Sequence, residues 1–434
     1  MKVLVIGSGG REHAIVRKIA RDRGVQKQSG RAGTDADSTL TLYAMPGNPG
    51  IAEYATCVPV AVEDVAAIVA WVVQNAVDFT IVGPEVPLAL GLADRLRALG
   101  HRVFGPGQAG AQLESSKAYA KGIMERAGIP TPRYHVVTSY EEGMAVLARE
   151  GAPIVVKADG LAAGKGVTVA QTEDEAERAL HAAFQERAFG DAGGTVVLEQ
   201  FLDGVEVSAL AFMDERGYRA MPLIQDHKAV DDGDRGPNTG GMGTVSPVSI
   251  ASAALLTAIE EEIFTKIHKQ LVAEGIPYQG VLFAGLMVVD QTPYVIEFNA
   301  RFGDPETQVA LELLQDDLLS VLEAVTKNSV AEHPLHFAND AVVCVVATAQ
   351  GYPGTYRKGD LIEGLNDVES AGAYVLHAGT ALAGDGSVRT NGGRVLNVVG
   401  RGASLHDARA IAYGGMERIS FPGKHVRTDL GLRR

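Results

Sequence analysis

The first 110 residues repeat one pattern: a short apolar run stops at a glycine- or proline-bearing turn, and a helical stretch follows. Residues 3–6 run into GSGGREH, residues 40–44 into PGNPG, and residues 79–82 into GPEVPL, and the series closes at FGPG. Between them, residues 11–20, 63–75 and 87–99 carry the three-to-four spacing of half-buried helices. Buried strands that alternate with helices pack as a parallel, doubly wound sheet. The turns then all fall at strand carboxyl ends, where open α/β sheets hold their ligands.

The first of these turns narrows the ligand. Its backbone amides open a helix, so they suit an anion at the positive helix end. A dinucleotide fingerprint would place a third glycine at position 12, where Glu12 stands, and an acid at the end of the second strand, which instead enters Pro46-Gly47-Asn48. A phosphate monoester fits these residues better than a dinucleotide.

From residue 117 the pattern changes. A helix at 118–127 leads through GIPTPRY to a helix at 141–150, a strand at 154–156, the hairpin GLAAGKGVTVA, a helix over Glu173–Phe184 and a strand at 195–199. Hairpins rather than crossovers imply an α+β region. Residues 336–434 hold strand-like runs at 341–347, 374–378, 388–390 and 395–399 before a helix at 405–418, which reads as a small mixed domain. The expected organisation is therefore 1–116, 117–335 with a mobile lobe at about 133–205, and 336–434. The polar, glycine-rich stretch 22–38 reads as a surface loop.

Four motifs in the central region carry chemistry. VVKADGLAAGKGV is not a Walker loop, since three residues separate Gly160 from Gly164 and Lys165 precedes a glycine; a flexible glycine hairpin with a lysine can still cover a triphosphate, with Lys157 as a second contact. LEQFLDGVE offers Glu199, an apolar step at Phe201-Leu202 and Glu206, suited to a base and its ribose. In IEFNARFGDPETQ, Glu297 and Asn299 alternate on one strand face, giving the hard oxygen donors that Mg²⁺ prefers, and Arg301 continues that face toward a carboxylate or phosphate. QDHK and NTGGMG add Asp226, His227, Lys228 and a run of amides able to receive an anion, whereas the acidic residues 231–234 read as a solvated loop.

Composition removes other classes. Formal net charge is −14, which argues against nucleic-acid partners. Cys57 and Cys344 are the only cysteines and both sit in apolar surroundings, so neither a disulfide framework nor a zinc site is expected. No run of 18 apolar residues occurs and MKVLVIGSGG reads as a strand and turn, so no membrane span is expected and the expected compartment is the cytoplasm.

Taken in order, VLVIGSGGREHAI, PGN, VGPEVPL, FGP, VVKADGLAAGKGV, LEQFLDGVE, QDHK, GPNTGGMG, IEFNARFGDPETQ, HAGT and NGGRVL closely resemble the glycinamide ribonucleotide synthetases, ATP-grasp ligases of purine biosynthesis. The resemblance spans essentially the whole chain. It implies an N-terminal phosphoribosylamine-binding domain, two central ATP-grasp lobes and a small C-terminal domain. It also implies that ATP, glycine and 5-phosphoribosylamine give glycinamide ribonucleotide, ADP and phosphate through a glycyl phosphate, in a monomer with no nucleic-acid or membrane partner. Carried over, Lys117, Lys157, Gly164, Lys165, Gly166, Glu199, Leu202 and Glu206 would bind ATP, and Glu297 and Asn299 would bind Mg²⁺ or Mn²⁺. Gly9, Gly10, Arg11, Glu12, Asn48, Glu85, Asp226, Asn238, Thr239, Gly240, Gly241, Arg301 and Asp304 would surround the other substrates, with Lys165, Asp226 and Arg301 serving catalysis. The preceding strand, FAGLMVV, lacks the further acid common in ATP-grasp enzymes, so one metal is expected rather than two.

Overall fold

The computed structural model describes residues 1–27, 40–161, 166–188 and 190–432. Most of the 22–38 stretch, together with Gly164 and Lys165, lies outside them.

The N-terminal sheet has five parallel strands in the order Thr56–Cys57, Thr41–Pro46, Lys2–Gly7, Phe79–Val82, Arg102–Phe104. Lys2–Gly7 lies centrally because its apolar residues are buried on both faces (Val3 to Ile6 are fully inaccessible), as a parallel strand covered by helices requires. The strand order reverses on either side of it, so the GSGG turn and the Gly83-Pro84-Glu85 turn share the crevice at the carboxyl ends. The expected helix at 87–99 is two helices, Glu85–Ala89 and Leu92–Ala98, because Gly91 between them takes φ +77°.

The central region forms two antiparallel four-stranded sheets. One contains Tyr134–Val137, Val196–Gln200, Ile154–Ala158 and Val167–Ala170, covered by helices Tyr140–Glu150 and Glu173–Phe184. These elements enclose their own apolar cluster around Leu147, Ile154, Leu180 and Leu198. The other contains Tyr218–Ala220, Val205–Met213, Gly280–Val289 and Thr292–Asn299.

The C-terminal sheet also draws strands from the central region. Its order is Gln225–Asp226, Gly243–Ser246, Ala341–Thr348, Arg394–Gly402, Tyr374–His377, so its first two strands come from the middle of the chain. Gly243–Ser246 pairs with Val342–Val345 while its other edge takes Gln225–Asp226. The segment carrying QDHK and NTGG is therefore hung from this sheet. Residues 231–234 are not merely solvated: Arg427, fully buried, binds Asp234 at 2.7 Å, and Asp232 accepts from the Thr428 amide at 2.7 Å. Cys344 is buried, while Cys57 is half-buried against Gly47.

Phe302 joins these units. Its ring lies 5.8 Å from Phe104 of the N-terminal sheet and 5.8 Å from Phe212 of the central sheet. All three belong to one apolar cluster that also takes in Val342 and Val399 of the C-terminal sheet. Burying such side chains stabilises by roughly 2–3 kcal/mol each, so the three units share a core rather than merely touching.

Candidate active site

A cavity of about 550 Å³ opens where the two central lobes, the N-terminal crevice and the C-terminal sheet meet. Its character follows from the strands that build its walls.

The strand Thr292–Asn299 places the acidic donors. Its pairing with Gly280–Val289 shifts at Ile296, a bulge that leaves Glu297 opposite Gly285 and Asn299 opposite Phe283. A bulge re-aims the next side chain. Gly285 makes room for it, since a Cβ there would stand 3.1 Å from Glu297 Cγ. Glu297 and Asn299 both line the cavity, with Ile296 and Phe298 of the same strand, and the neighbouring strand presents Phe283 and Met287 there and no acid.

Lysines converge on these acids. Lys228 Nζ lies 2.5 Å from Glu206 and 3.4 Å from Glu297. Lys228, then Lys157 and Lys117, hold the Glu297 carboxyl down to about 2 against the opposing effect of burial. Burial works against the Lys228 ammonium too, yet Glu206, Glu297 and Asp226 together raise it well above the usual lysine range. Lys157 donates to Glu199 at 2.9 Å and to the Ile296 carbonyl at 2.9 Å. Lys117 donates to the Gly160 carbonyl at 3.0 Å, and burial lowers its pKa. Leu202 and Glu206 line the same cavity beside apolar Val155, Val169, Met287 and Phe298.

On the far side Arg301 is enclosed by carboxylates: Glu114 at 2.9 Å and Glu85 at 3.4 Å. Its Nη2 also donates to Asn299 Oδ1 at 3.3 Å, while its buried Nε has no hydrogen-bond acceptor. Burial alone would raise Glu85, but Arg301 and Arg11 bring its pKa below the ordinary value; Glu114, more deeply buried, is raised. Asp226 is buried with Oδ1 unpartnered, and burial followed by the nearby Glu306 raises it well above the carboxylate range. From the C-terminal sheet Arg394 donates to the carbonyls of Gly240 and Asp304 and lies 3.3 Å from the Asp304 carboxylate.

The N-terminal turn explains Glu12. Its Oε2 accepts from the Gly9 amide at 2.6 Å, and Oε1 pairs with Arg11 Nε at 2.5 Å. A Cβ at Gly7, Gly9 or Gly83 would come within 2.1–2.8 Å of the Glu12 side chain. Glu12 therefore fills the space that a dinucleotide fold leaves to glycine, and caps the helix Gly10–Asp22 from inside. Asn48 has a similar place, donating to the Ser8 and His377 carbonyls at 2.8 and 2.9 Å and accepting from the Ile51 amide.

Of the residues expected from sequence, the cavity wall brings together Arg11, Glu85, Lys117, Lys157, Gly166, Glu199, Leu202, Glu206, Asp226, Asn238, Thr239, Gly240, Glu297, Asn299, Arg301 and Asp304. Gly9, Gly10, Glu12, Asn48 and Gly241 stand behind it as its support, and Gly164 and Lys165 fall outside the described residues. The turn at NTGG is internally engaged: the Gly241 amide donates to Thr239 Oγ1 at 3.0 Å and the Gly240 amide to Tyr352 OH at 3.2 Å. Sequence reasoning missed Glu114, Lys121, Glu306, Tyr352 and Arg394 on the wall. Lys121 could have been found from its four-residue spacing to Lys117 on one helix face; the others come from elements whose approach no local pattern reveals.

Family models match the chain in three consecutive pieces: the phosphoribosylglycinamide synthetase N domain at residues 1–114, its ATP-grasp (A) domain at 115–307 and its C domain at 342–433. The chain is 45% identical over 434 residues to the phosphoribosylamine–glycine ligase of Mesorhizobium japonicum, covering 99% of this chain and 98% of that one. It is 43% identical over 430 residues to the enzyme of that name from Caldanaerobacter subterraneus, covering 99% of each. The crystal structure of phosphoribosylamine–glycine ligase from Thermotoga maritima matches with a TM-score of 0.83 at 34% identity, over 99% of this chain and 100% of that one. A biotin carboxylase domain from Hydrogenobacter thermophilus shares the fold with a TM-score of 0.72 at 17% identity, over 98% of this chain and 91% of that one.

Proposed function

Because the chain belongs to the phosphoribosylglycinamide synthetase family, we propose that its central cavity carries out that family's ligation with the residues described above. The chain is an ATP-dependent ligase of purine biosynthesis that joins glycine to 5-phosphoribosylamine, giving glycinamide ribonucleotide. The observation that carries the assignment of the site is the convergence of Lys117, Lys157 and Lys228 on Glu199, Glu206 and Glu297 in one cavity.

In this reading the base lies in the apolar end near Val155, Met287 and Phe298, with Leu202 at its edge and Glu206 accepting from the ribose. Lys117 and Lys157 take the phosphates. The residues present fit a divalent metal: Glu297 is ionised, Asn299 offers an amide oxygen held only by a 3.3 Å contact, and both face the cavity. Among the described residues no three acidic, histidine or cysteine side chains cluster as a cage, so phosphate oxygens would complete the coordination. A Mg²⁺ or Mn²⁺ ion held by Glu297 and Asn299 would supply neutralisation of charge on the phosphoryl group.

Arg301 holds the glycine carboxylate facing the γ-phosphorus, while Glu85 and Glu114 fix its guanidinium in place. Attack by that carboxylate gives glycyl phosphate and ADP; the amine of phosphoribosylamine then attacks the acyl carbon and releases phosphate. We assign to Asp226, buried on the same wall, the proton leaving that amine. Arg11 and the GSGG turn, at the positive end of the helix Gly10–Asp22, hold the sugar phosphate. No side-chain nucleophile is needed, and positioning and charge stabilisation supply the rate. We further read the enzyme as a cytoplasmic monomer.

ADP release tests this directly, with glycine and phosphoribosylamine omitted in turn. ADP should appear at the full rate only with both present; equal rates without either substrate would overturn the assignment.

A further inference from the structure

Lys121 lies one turn beyond Lys117 on the helix Lys117–Ala127 and is 1% exposed. Its Nζ donates to Thr131 Oγ1 at 2.6 Å and stands 3.2 Å from Glu199 Oε1. The other oxygen of Glu199 accepts from Lys157 Nζ at 2.9 Å. Each lysine is also tied toward the strand Thr292–Asn299: Thr131 Oγ1 donates to the Val295 carbonyl at 2.7 Å, and Lys157 Nζ to the Ile296 carbonyl at 2.9 Å. One buried carboxylate therefore serves two ammonium groups where the two central lobes meet. Burying an ammonium costs several kcal/mol that pairing only partly offsets, and an apolar side chain would fill this place more favourably if packing were its whole role.

We propose that Lys121 is a positioning residue for nucleotide binding: it occupies one oxygen of Glu199, so that Lys157, shared on the other oxygen, keeps its ammonium available to the nucleotide phosphates. The proposal rests on the reading of this cavity as the ATP site. Without the Lys121 charge, the whole charge of Glu199 falls on Lys157, which closes into a tight pair and loses attraction for phosphate. The positive charge on the cavity wall also falls by one.

The groups facing Lys121 are Glu199 and Lys157 from the lobe sheet, the Tyr134 ring at 5.9 Å, Glu297 from the strand beyond, and Lys117 on its own helix. Burial outweighs the Glu199 pairing and brings the Lys121 ammonium down to about 8. The charge is thus present at neutral pH and lost as pH rises through that value, so nucleotide binding weakens on the alkaline side.

Displacement of a fluorescent trinitrophenyl-ATP by ATP, on the full chain between about pH 7 and 9.5, reads this out. Wild-type affinity for ATP should fall about tenfold across the range with a midpoint near pH 8. Lys121→Arg, charged throughout, should keep the neutral-pH affinity at the alkaline end. Lys121→Met should bind about tenfold more weakly at every pH, with a flat profile and an unaltered KM for glycine. The idea is overturned if Lys121→Met binds ATP as wild type does or retains the alkaline loss. Should that variant fail to fold, the arginine variant decides, since an alkaline loss equal to that of wild type would sink the proposal. Failure of the wild-type chain to bind ATP at any pH would instead overturn the reading of the cavity.

Discussion

Gly83→Ala tests whether Glu12 is the internal support of the N-terminal turn. A Cβ at Gly83 would stand 2.1 Å from Glu12 Oε1 and 2.8 Å from its Cδ and Cγ. Real Cβ atoms do not approach so closely, so one group must move. Glu12 has no free direction: Oε2 is held by the Gly9 amide, Oε1 by Arg11 Nε, and the backbones of Gly7 and Gly9 close its other sides. Overpacking of a fixed interior costs about 1–3 kcal/mol, and the lost cap adds about 1 kcal/mol. Because the N-terminal sheet shares its core with the other units, a loss of about 2 kcal/mol is spread over a larger cooperative unit and lowers the melting midpoint by roughly 4 °C. Differential scanning calorimetry should show the main transition shifted by that amount. Arg11 loses its orienting carboxylate as well, so KM for phosphoribosylamine should rise while KM for ATP holds. Adding Glu12→Ala should recover part of the midpoint by relieving the clash, but not the KM. A Gly83→Ala protein that melts with wild type and keeps its KM would refute the account of Glu12.

The C-terminal sheet should matter to substrate binding through Arg394. Arg394→Ala removes the Asp304 carboxylate's cationic partner, leaving it Gln308 Nε2 at 2.7 Å, and takes a donor from two carbonyls; the expected loss in kcat/KM for phosphoribosylamine is about 100-fold. ATP affinity should be unchanged, and lysine should not rescue because it lacks the planar fork; steady-state kinetics with each substrate varied would show a contrary pattern at once. Acid stability should depend on His13 and His377, whose buried rings lie 5.8 Å apart across the contact of the first helix with the C-terminal sheet. Burial brings His377 down to about 4, so the unfolded chain takes up a proton there that the folded chain refuses. The contribution is complete above pH 6.5 and is lost as pH falls toward 4, amounting to about 2 kcal/mol by pH 5. His377→Gln should flatten the fall in melting temperature between pH 7 and 5, and an unchanged slope would exclude this pair as its source.

How far the sequence could be read depended on the range of the interactions. The doubly wound sheet and the helix Glu173–Phe184 were legible because burial on two faces or one leaves a local periodicity. Glu297 and Asn299 were legible for the same reason, since a strand puts every second residue on one side, although the bulge at Ile296 that aims Glu297 was not. The internal partners of Glu12 and Asn48 were not legible. Their partners are the backbones of Gly9, Ser8, Ile51 and His377, and only the folded chain brings His377 to Asn48. Glu114 shows the limit most clearly: its helix, Gln108–Ser115, looks ordinary, yet the chain return at Ala300 and Arg301 makes it the nearest acid to the guanidinium.

The strand exchange at the C-terminal sheet bears on how the reaction is organised. Gln225–Asp226 and Gly243–Ser246 fix both ends of the segment carrying Lys228 and the NTGG turn, and Arg394 clamps that turn from the adjacent sheet. The Phe104–Phe302–Phe212 contacts fix Arg301 and Glu85 to the same body. The side of the cavity assigned to glycine and phosphoribosylamine is thus built on shared core, which resists displacement. Lys157 and Glu199 instead belong to the lobe with its separate apolar cluster. It is tied across the cavity chiefly by polar contacts such as Lys157 to the Ile296 carbonyl and Lys117 to the Gly160 carbonyl. Polar contacts across a cavity exchange readily for ligand and water, whereas a shared apolar core does not. The acceptor side is therefore built into the shared core, while the nucleotide side is joined to it mainly through polar groups that its ligand can replace.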